Sequence, residues 1–172
     1  MRTFAHASSL SRLTSFGVAL ATLVVSAACA AAPTAPTEAG TTYSTGSANL
    51  DASVSFCTDE INRYRTRAGL APVERAPDLE VFAARAAESD GRSGVPHQYF
   101  RMTNGGGVAR AENQLLLWKG YAVNDVIRQG LAQMWAEGPE GTHFQILTGG
   151  YAQVGCGIFM NGSVVNISQD FR

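Results

Sequence analysis

The chain predicts an α+β domain in which helices pack on an antiparallel, hairpin-rich sheet, and three observations carry that expectation. Apolar residues recur at three-to-four spacing in three stretches, around 57–68, 79–87 and 123–134. Nearer the C-terminus the period becomes that of strands, and Asn161-Gly162 lies between two apolar runs as a hairpin turn signal. Helices first and hairpin last favour segregated layers over a βαβ parallel sheet. A chain of 172 residues, 45% hydrophobic and 16% charged, is enough for one domain with a sizeable core.

The chain divides into three parts. Residues 1–32 carry the marks of a secretory signal: Arg2 and Arg12 supply positive charge, Phe16 to Ala28 is apolar, and small residues follow. The apolar run is short for a membrane-spanning helix; an uncleaved anchor is the competing reading. Ser26-Ala27-Ala28-Cys29 approximates a bacterial lipoprotein signal with Cys29 as the lipidated residue, departing from it at Ser26, where an aliphatic residue is usual. An ordinary cut near Ala30 to Ala32 would discard Cys29. Either route places the domain outside the cytoplasm, with membrane contact only through the possible lipid. Residues 33–49, rich in Pro, Thr, Ser and Gly, cannot bury enough surface to fold and are expected to be a flexible tether. Residues 50–172 are the expected folded domain.

Within that domain Asp51 is the expected N-cap of a first helix, whose stripe is Cys57, Ile61, Tyr64 and Ala68 and which Gly69 ends. Arg63, Arg65 and Arg67 are expected to be solvated or to cover apolar surface with their stems. Pro77 suits the first position of a second helix. Its stripe is Leu79, Phe82, Ala83, Ala86 and Ala87, it ends near Gly91, and its alanines imply close packing. Residues 92–110 are expected to be loop. Gly105-Gly106-Gly107 resembles a phosphate turn, but no Lys-Ser/Thr follows it, so a surface turn is the better reading. Residues 114–118 suit strand or helix. Val123, Val126, Ile127, Gly130, Leu131 and Met134 mark a third helix, closed by Gly138-Pro139. His143 to Leu147 is expected to be a strand, as are Gln153 to Met160 and Val164 to Ile167.

Net charge is −1; removing residues 1–28 takes Arg2 and Arg12 and no acid, leaving 11 basic against 14 acidic residues, or −3. No basic patch stands out, which argues against a nucleic-acid partner. Cys57 and Cys156 are the two cysteines of the folded part. Outside the cytoplasm such a pair suggests a disulfide, worth about 4–5 kcal/mol by loop entropy. Two buried thiols are the alternative.

Two histidines remain after the signal, His97 and His143, in segments that also hold glutamates: Gly94-Val95-Pro96-His97, Ala111-Glu112-Asn113, Met134-Trp135-Ala136-Glu137 and Gly141-Thr142-His143-Phe144-Gln145. Taken singly, each has a bland reading. His97 is a surface or capping residue, Glu112 a partner for backbone amides, His143 a packed strand histidine. Glu137 is a solvated residue at a helix C-terminus, where the dipole disfavours negative charge.

Together these segments resemble the CAP superfamily of cysteine-rich secretory proteins, antigen 5 and plant pathogenesis-related proteins. Asn62-Arg63-Tyr64-Arg65 with Gly69-Leu70-Ala71-Pro72 is similar to the family's first helix and exit. Ala111-Glu112-Asn113 resembles its Gly-Glu-Asn signature, Met134-Trp135-Ala136-Glu137 its Trp-x-x-Glu region in shortened form, and Gly141-Thr142-His143-Phe144-Gln145 its Gly-His-Tyr/Phe-Thr-Gln signature. Val154-Gly155-Cys156-Gly157 is similar to its sheet motif. The resemblance spans about residues 54–170. It implies a three-layer α-β-α sandwich and a cleft lined by His97, Glu112, Glu137 and His143, with Asn113 and Gln145 as cleft residues. The altered spacing puts Glu137 in question.

Such a set suits a divalent metal, zinc first, since neutral imidazole binds zinc through nitrogen. Two histidines and one carboxylate leave an open position, and the other glutamate could act as general base. Against catalysis, there is no His-Glu-x-x-His to pre-orient two ligands on one helix. Ser93 near His97 lacks an identifiable third group. The expected function is therefore a non-catalytic secreted or lipid-anchored domain that binds a small-molecule or lipid ligand, or an envelope protein. The alternatives are a peptidase-like metal-dependent hydrolase and an envelope lipoprotein with an inert cleft.

Overall fold

The computed structural model describes residues 47–172; the signal, Cys29 and the tether as far as residue 46 lie outside the described residues. Five helices, a 3-10 turn and four strands follow in the order α1 (Ser47–Arg67), β1 (Glu74–Arg75), α2 (Pro77–Ser93), α3 (Gln98–Thr103), the turn Asn104–Gly107, β2 (Ala111–Lys119), α4 (Val123–Ala136), α5 (Thr142–Leu147), β3 (Gln153–Asn161) and β4 (Val164–Phe171). The sheet order is β1-β3-β4-β2, with β1 parallel to β3 and the other pairs antiparallel.

Three layers form because the two faces of the sheet bury different things. On one face Cys57, Ile61, Tyr64, Val126, Ile127, Leu131 and Met134 of α1 and α4 meet Leu115, Val154, Val165 and Ile167 of the strands. On the other, α2 lies almost in contact with the backbone of β3. A Cβ built on Gly157 would fall 2.0 Å from the Ala83 carbonyl carbon, and one on Gly155 2.2 Å from that of Leu79. The alanines of α2 and the glycines of β3 are thus two halves of one close packing. The disulfide Cys57–Cys156 ties α1 to β3 through the first layer, both sulfurs fully or almost fully buried.

Pro77 opens α2 as expected, and Gly94 closes it in the left-handed conformation (φ 72°), its N–H donating to the Asp90 carbonyl. The expected stripe of α2 is buried throughout.

Several expectations are corrected. α1 begins at Ser47, so Asp51 lies inside it and its carboxylate accepts from Arg75 at 3.1 Å. Ala68 is exposed, beyond the end of the helix. Arg65 is not solvated but 3% exposed, its guanidinium bonded to backbone carbonyls. Residues 98–103 form a helical turn because the chain reverses at His97 and again at Asn104, both with positive φ. Residues 114–118 belong to β2, which pairs with β4 from Ala111↔Phe171 to Lys119↔Val164 across a bulge at 116–117. His143 to Leu147 is helix, not strand. The hairpin loop is Gly162-Ser163, one residue later than expected: Asn161 still pairs with Val164, and within the loop Gly162 takes the positive φ (60°).

Candidate functional site

β2 is an edge strand, and the candidate residues gather about its first half. Alternation along a strand sends neighbours to opposite faces. Glu112 and Gln114 face the α2 layer, while Asn113 and Leu115 face the α4–α5 layer.

On the α2 side, His97 Nδ1 meets Glu112 Oε1 at 2.9 Å. The imidazole is about one-third exposed, whereas the glutamate side chain is 1% exposed. His97 holds a left-handed backbone (φ 56°), a conformation that costs a non-glycine residue energy. Two bonds fix it there. The His97 N–H donates to Gln114 Oε1 at 2.7 Å, and Gln114 Nε2 donates to Asp90 Oδ2 at 2.8 Å. The other oxygen of Asp90 accepts the Tyr99 N–H at 2.9 Å.

Behind Glu112 lies a buried polar row. Ser168 Oγ donates to Glu112 Oε2 at 2.6 Å and stands 3.2 Å from Asp170 Oδ2. Asp170 is fully buried. Its pKa is pushed up to about 9, first by burial and then by the charge of Glu112. At neutral pH Asp170 is therefore the protonated member of the row, able to donate to Ser168 while Ser168 donates to Glu112.

On the opposite side, His143 Nδ1 meets Glu137 Oε1 at 2.5 Å, and the His143 N–H donates to Glu137 Oε2 at 3.1 Å. The bond to His143 holds the Glu137 carboxyl below the usual range. Glu137 ends α4, where the dipole disfavours it, but its carboxylate stands at the start of α5, where the dipole favours it. Gly141 makes room: a Cβ there would meet Glu137 Oε2 at 2.6 Å. Asn113, fully buried, donates to the His143 carbonyl at 3.2 Å and so joins β2 to α5 rather than facing an open cleft. Gln145 is exposed and donates to the Pro139 carbonyl at 2.9 Å.

The structure thus arranges the four predicted residues as two His–Glu pairs. Among the described residues, no three His, Cys, Asp or Glu side chains converge as a group that could hold a metal ion. Each imidazole turns its Nδ1 to a carboxylate, and the four residues do not form one closed cage. A small open cleft of about 160 Å³ between β2 and α4 has His143, Glu137, Gln114, Gln133 and Trp118 in its wall. Gln114 therefore touches both the cleft and the support of His97.

Sequence reasoning missed Asp90, Gln114, Ser168 and Asp170. Asp90 carried a signal: it falls on the buried stripe of α2, three residues after Ala87, where an acid needs a partner.

Comparison with known proteins gives the family. The family model described as "Cysteine-rich secretory protein family" (CAP) matches residues 58–171. Among solved structures, the chain is similar to an outer surface protein of Borrelia burgdorferi, with 15% identity and a TM-score of 0.49 over 74% of this chain and 93% of that one. It is also similar to a cysteine-rich secretory protein of Staphylococcus aureus, with 15% identity and a TM-score of 0.48 over 71% of this chain and 39% of that one. No curated protein matches in sequence.

Proposed function

From the premise that this chain belongs to the CAP family, we propose that it is a non-catalytic binding domain, held outside the cytoplasm by a lipid on Cys29 or released there. Its His/Glu cleft takes a small-molecule or lipid ligand or an envelope protein. The observation that carries the reading is the pairing of each imidazole with its own glutamate, His97 with Glu112 and His143 with Glu137. A carboxylate at Nδ1 keeps the proton there and presents the Nε2 lone pair, as carboxylates do behind metal-binding histidines. Zinc, by the preference of imidazole, is the divalent ion that such a nitrogen would take, its other positions falling to water or to the ligand itself. Glu112 is already bonded on both oxygens, so it is not a free general base. That favours binding over hydrolysis.

Calorimetric zinc titration tests this, comparing the chain from residue 29 with its His97→Ala/His143→Ala variant. The expected result is one exchangeable ion per chain at pH 7.5, absent from the variant. It should weaken in acid, because protons compete with the ion for the donor nitrogens. Affinity unchanged in the variant would sink imidazole ligation. Zinc-dependent turnover of peptides would favour the hydrolase.

A further inference from the structure

The bulge of β2 sends one side chain where plain alternation would not. Leu115 pairs with Ile167 and Trp118 with Val165, so three steps along β2 answer two along β4. Ile167, Val165 and Leu115 share the face of the sheet that packs on α1 and α4. The extra residue brings Trp118 to that face as well; without it the indole would point to the α2 layer. The bulge is held at a cost. Leu117 takes φ 60°, and its N–H donates to Asn166 Oδ1 at 3.0 Å. Asn166 is fully buried and donates from Nδ2 to the Phe159 carbonyl at 3.3 Å. Backbone strain fixed by a buried side chain points to a placement that serves function.

What the bulge places is part of the wall of the cleft between β2 and α4. Tyr121 braces the indole edge-on, with ring centroids 5.6 Å apart. Gly130 and Leu115 line the same cleft in close contact. A Cβ on Gly130 would fall 2.2 Å from Leu115 Cδ2, so a glycine lets α4 come this near to β2. Two lining residues offer hydrogen bonds. Gln133 is exposed, and its amide is bonded to nothing among the described residues. His143 is engaged through Nδ1, which leaves Nε2. Glu137 lines the cleft, but no Lys or Arg does among the described residues.

Those features choose among ligands. With no cation in its wall, the cleft has nothing to pair with a phosphate or a fatty-acid carboxylate. Its volume of about 160 Å³ lies below the roughly 300 Å³ at which drug-sized ligands are enclosed. It cannot enclose a sterol or an acyl chain, but it has room for one ring of a ligand that continues outside. An added peptide strand would need the outer edge of β2, and the bulge interrupts that edge beside Trp118. A neutral sugar ring meets each condition. One of its faces carries weakly positive C–H bonds that suit the negative face of an indole. Its rim carries hydroxyls that both donate and accept. We propose that this cleft binds a neutral saccharide, one pyranose ring stacking on Trp118 with its hydroxyls reaching Gln133 and the His143 end. The inference rests on the ligand-binding function proposed above and names the class of ligand.

The chain from residue 29 contains the whole compact unit Thr42–Arg172. The test titrates it, labelled with nitrogen-15, with cellotriose, chitotriose and mannotriose. Sorbitol, trialanine and dihexanoylphosphatidylcholine are titrated alongside. At least one trisaccharide should move the Trp118 indole N–H and the Gln133 side-chain amide, and sorbitol, which has no ring face, should move neither. Saturating the aromatic protons should transfer magnetisation to the C–H bonds of one sugar face. Trp118→Ala should bind about tenfold more weakly, the upper range of an aromatic contact, while Trp118→Tyr keeps most of the affinity. The melting temperature of Trp118→Ala checks that it folds. Gln133→Ala, on the exposed side of α4, should weaken binding several-fold whatever that check shows. Unchanged affinity in both alanine variants, or equal shifts with sorbitol, would overturn the proposal. Shifts with trialanine or the phospholipid but with no trisaccharide would overturn it and leave the cleft a ligand site of another class. Silence with every probe would overturn it together with the small-molecule and lipid reading of the cleft.

Discussion

Arg65 shows how one side chain can fasten three segments without an acid partner. It is 3% exposed and donates to the carbonyls of Ala71, Leu147, Gly149 and Tyr151 at 3.0, 3.1, 2.9 and 3.2 Å. Those carbonyls belong to the exit of α1, to the last residue of α5 and to the irregular chain between α5 and β3, which has no ladder of its own to join. A planar guanidinium with five donors suits this task, and an ammonium does not. Arg65→Ala would leave buried carbonyls unpaired and is expected to lower unfolding stability by about 2–4 kcal/mol. Urea unfolding of Arg65→Ala beside Arg65→Lys checks it; equal stability of lysine and arginine would refute the fork. Asp170 makes the opposite case, an acid stabilised by being neutral. Its pKa lies near 9 in the fold, against about 3.9 in the unfolded chain. The folded state therefore binds the extra proton between those values, and stability falls as pH rises through that window. The uncharged amide of Asp170→Asn escapes this penalty. Its melting temperature should gain on the wild type steadily from pH 5 to pH 9 and converge with it near pH 4. A difference that stays constant with pH would mean that Asp170 is ionised in the fold.

The elements were legible where local pattern and tertiary environment agree. The apolar stripes of α2 and α4 each bury one face, and the two strands of the hairpin are apolar runs about a turn signal, so local pattern finds them. His143 to Leu147 was not, because six residues are too few to show a period, and what makes them helical lies elsewhere in the chain. Glu137, five residues upstream of Thr142, bonds the His143 N–H at the first turn of α5. The same holds for the site. The four histidines and glutamates were legible through their motifs, but their division into two pairs depends on which face of β2 each approaches. Asp90, Gln114 and Ser168, which hold one pair in place, belong to three different elements. Close packing of α2 on β3 falls between these cases, since small residues on both announce contact without giving its distance. With a Cβ on Gly157 only 2.0 Å from the backbone of α2, Gly157→Ala cannot be relieved by a rotamer change. It should push the helix from the sheet and cost about 3 kcal/mol or more. Ala84→Gly, a substitution in the same helix, serves as control, its expected cost being the roughly 1 kcal/mol of helix propensity. Comparable losses in the two variants would show that the helix and strand yield easily.

At the scale of the whole molecule, the disulfide joins what the chain order separates. Cys57 and Cys156 are 99 residues apart, and the segment between them includes α2, α3, β2, α4 and α5. Linking them removes loop entropy from the unfolded chain worth about 4–5 kcal/mol, a large share of the stability of a domain this size. The bond also lies in the core between α1 and the sheet, with its cysteines 0% and 1% exposed. A thiolate can attack only a sulfur that it can reach. Reduction of the native protein therefore requires unfolding first, and its rate should follow the population of the unfolded state. Dithiothreitol in native buffer is expected to leave the bond intact for hours, and the same reductant near the urea midpoint to open it rapidly. Once opened, or in Cys57→Ala/Cys156→Ala, the domain should lose most of its stability, so that its urea midpoint falls while the slope of the transition remains that of a similar surface. Rapid reduction in native buffer would mean that α1 lifts from the sheet without global unfolding. The disulfide would then cross a hinge and not a core.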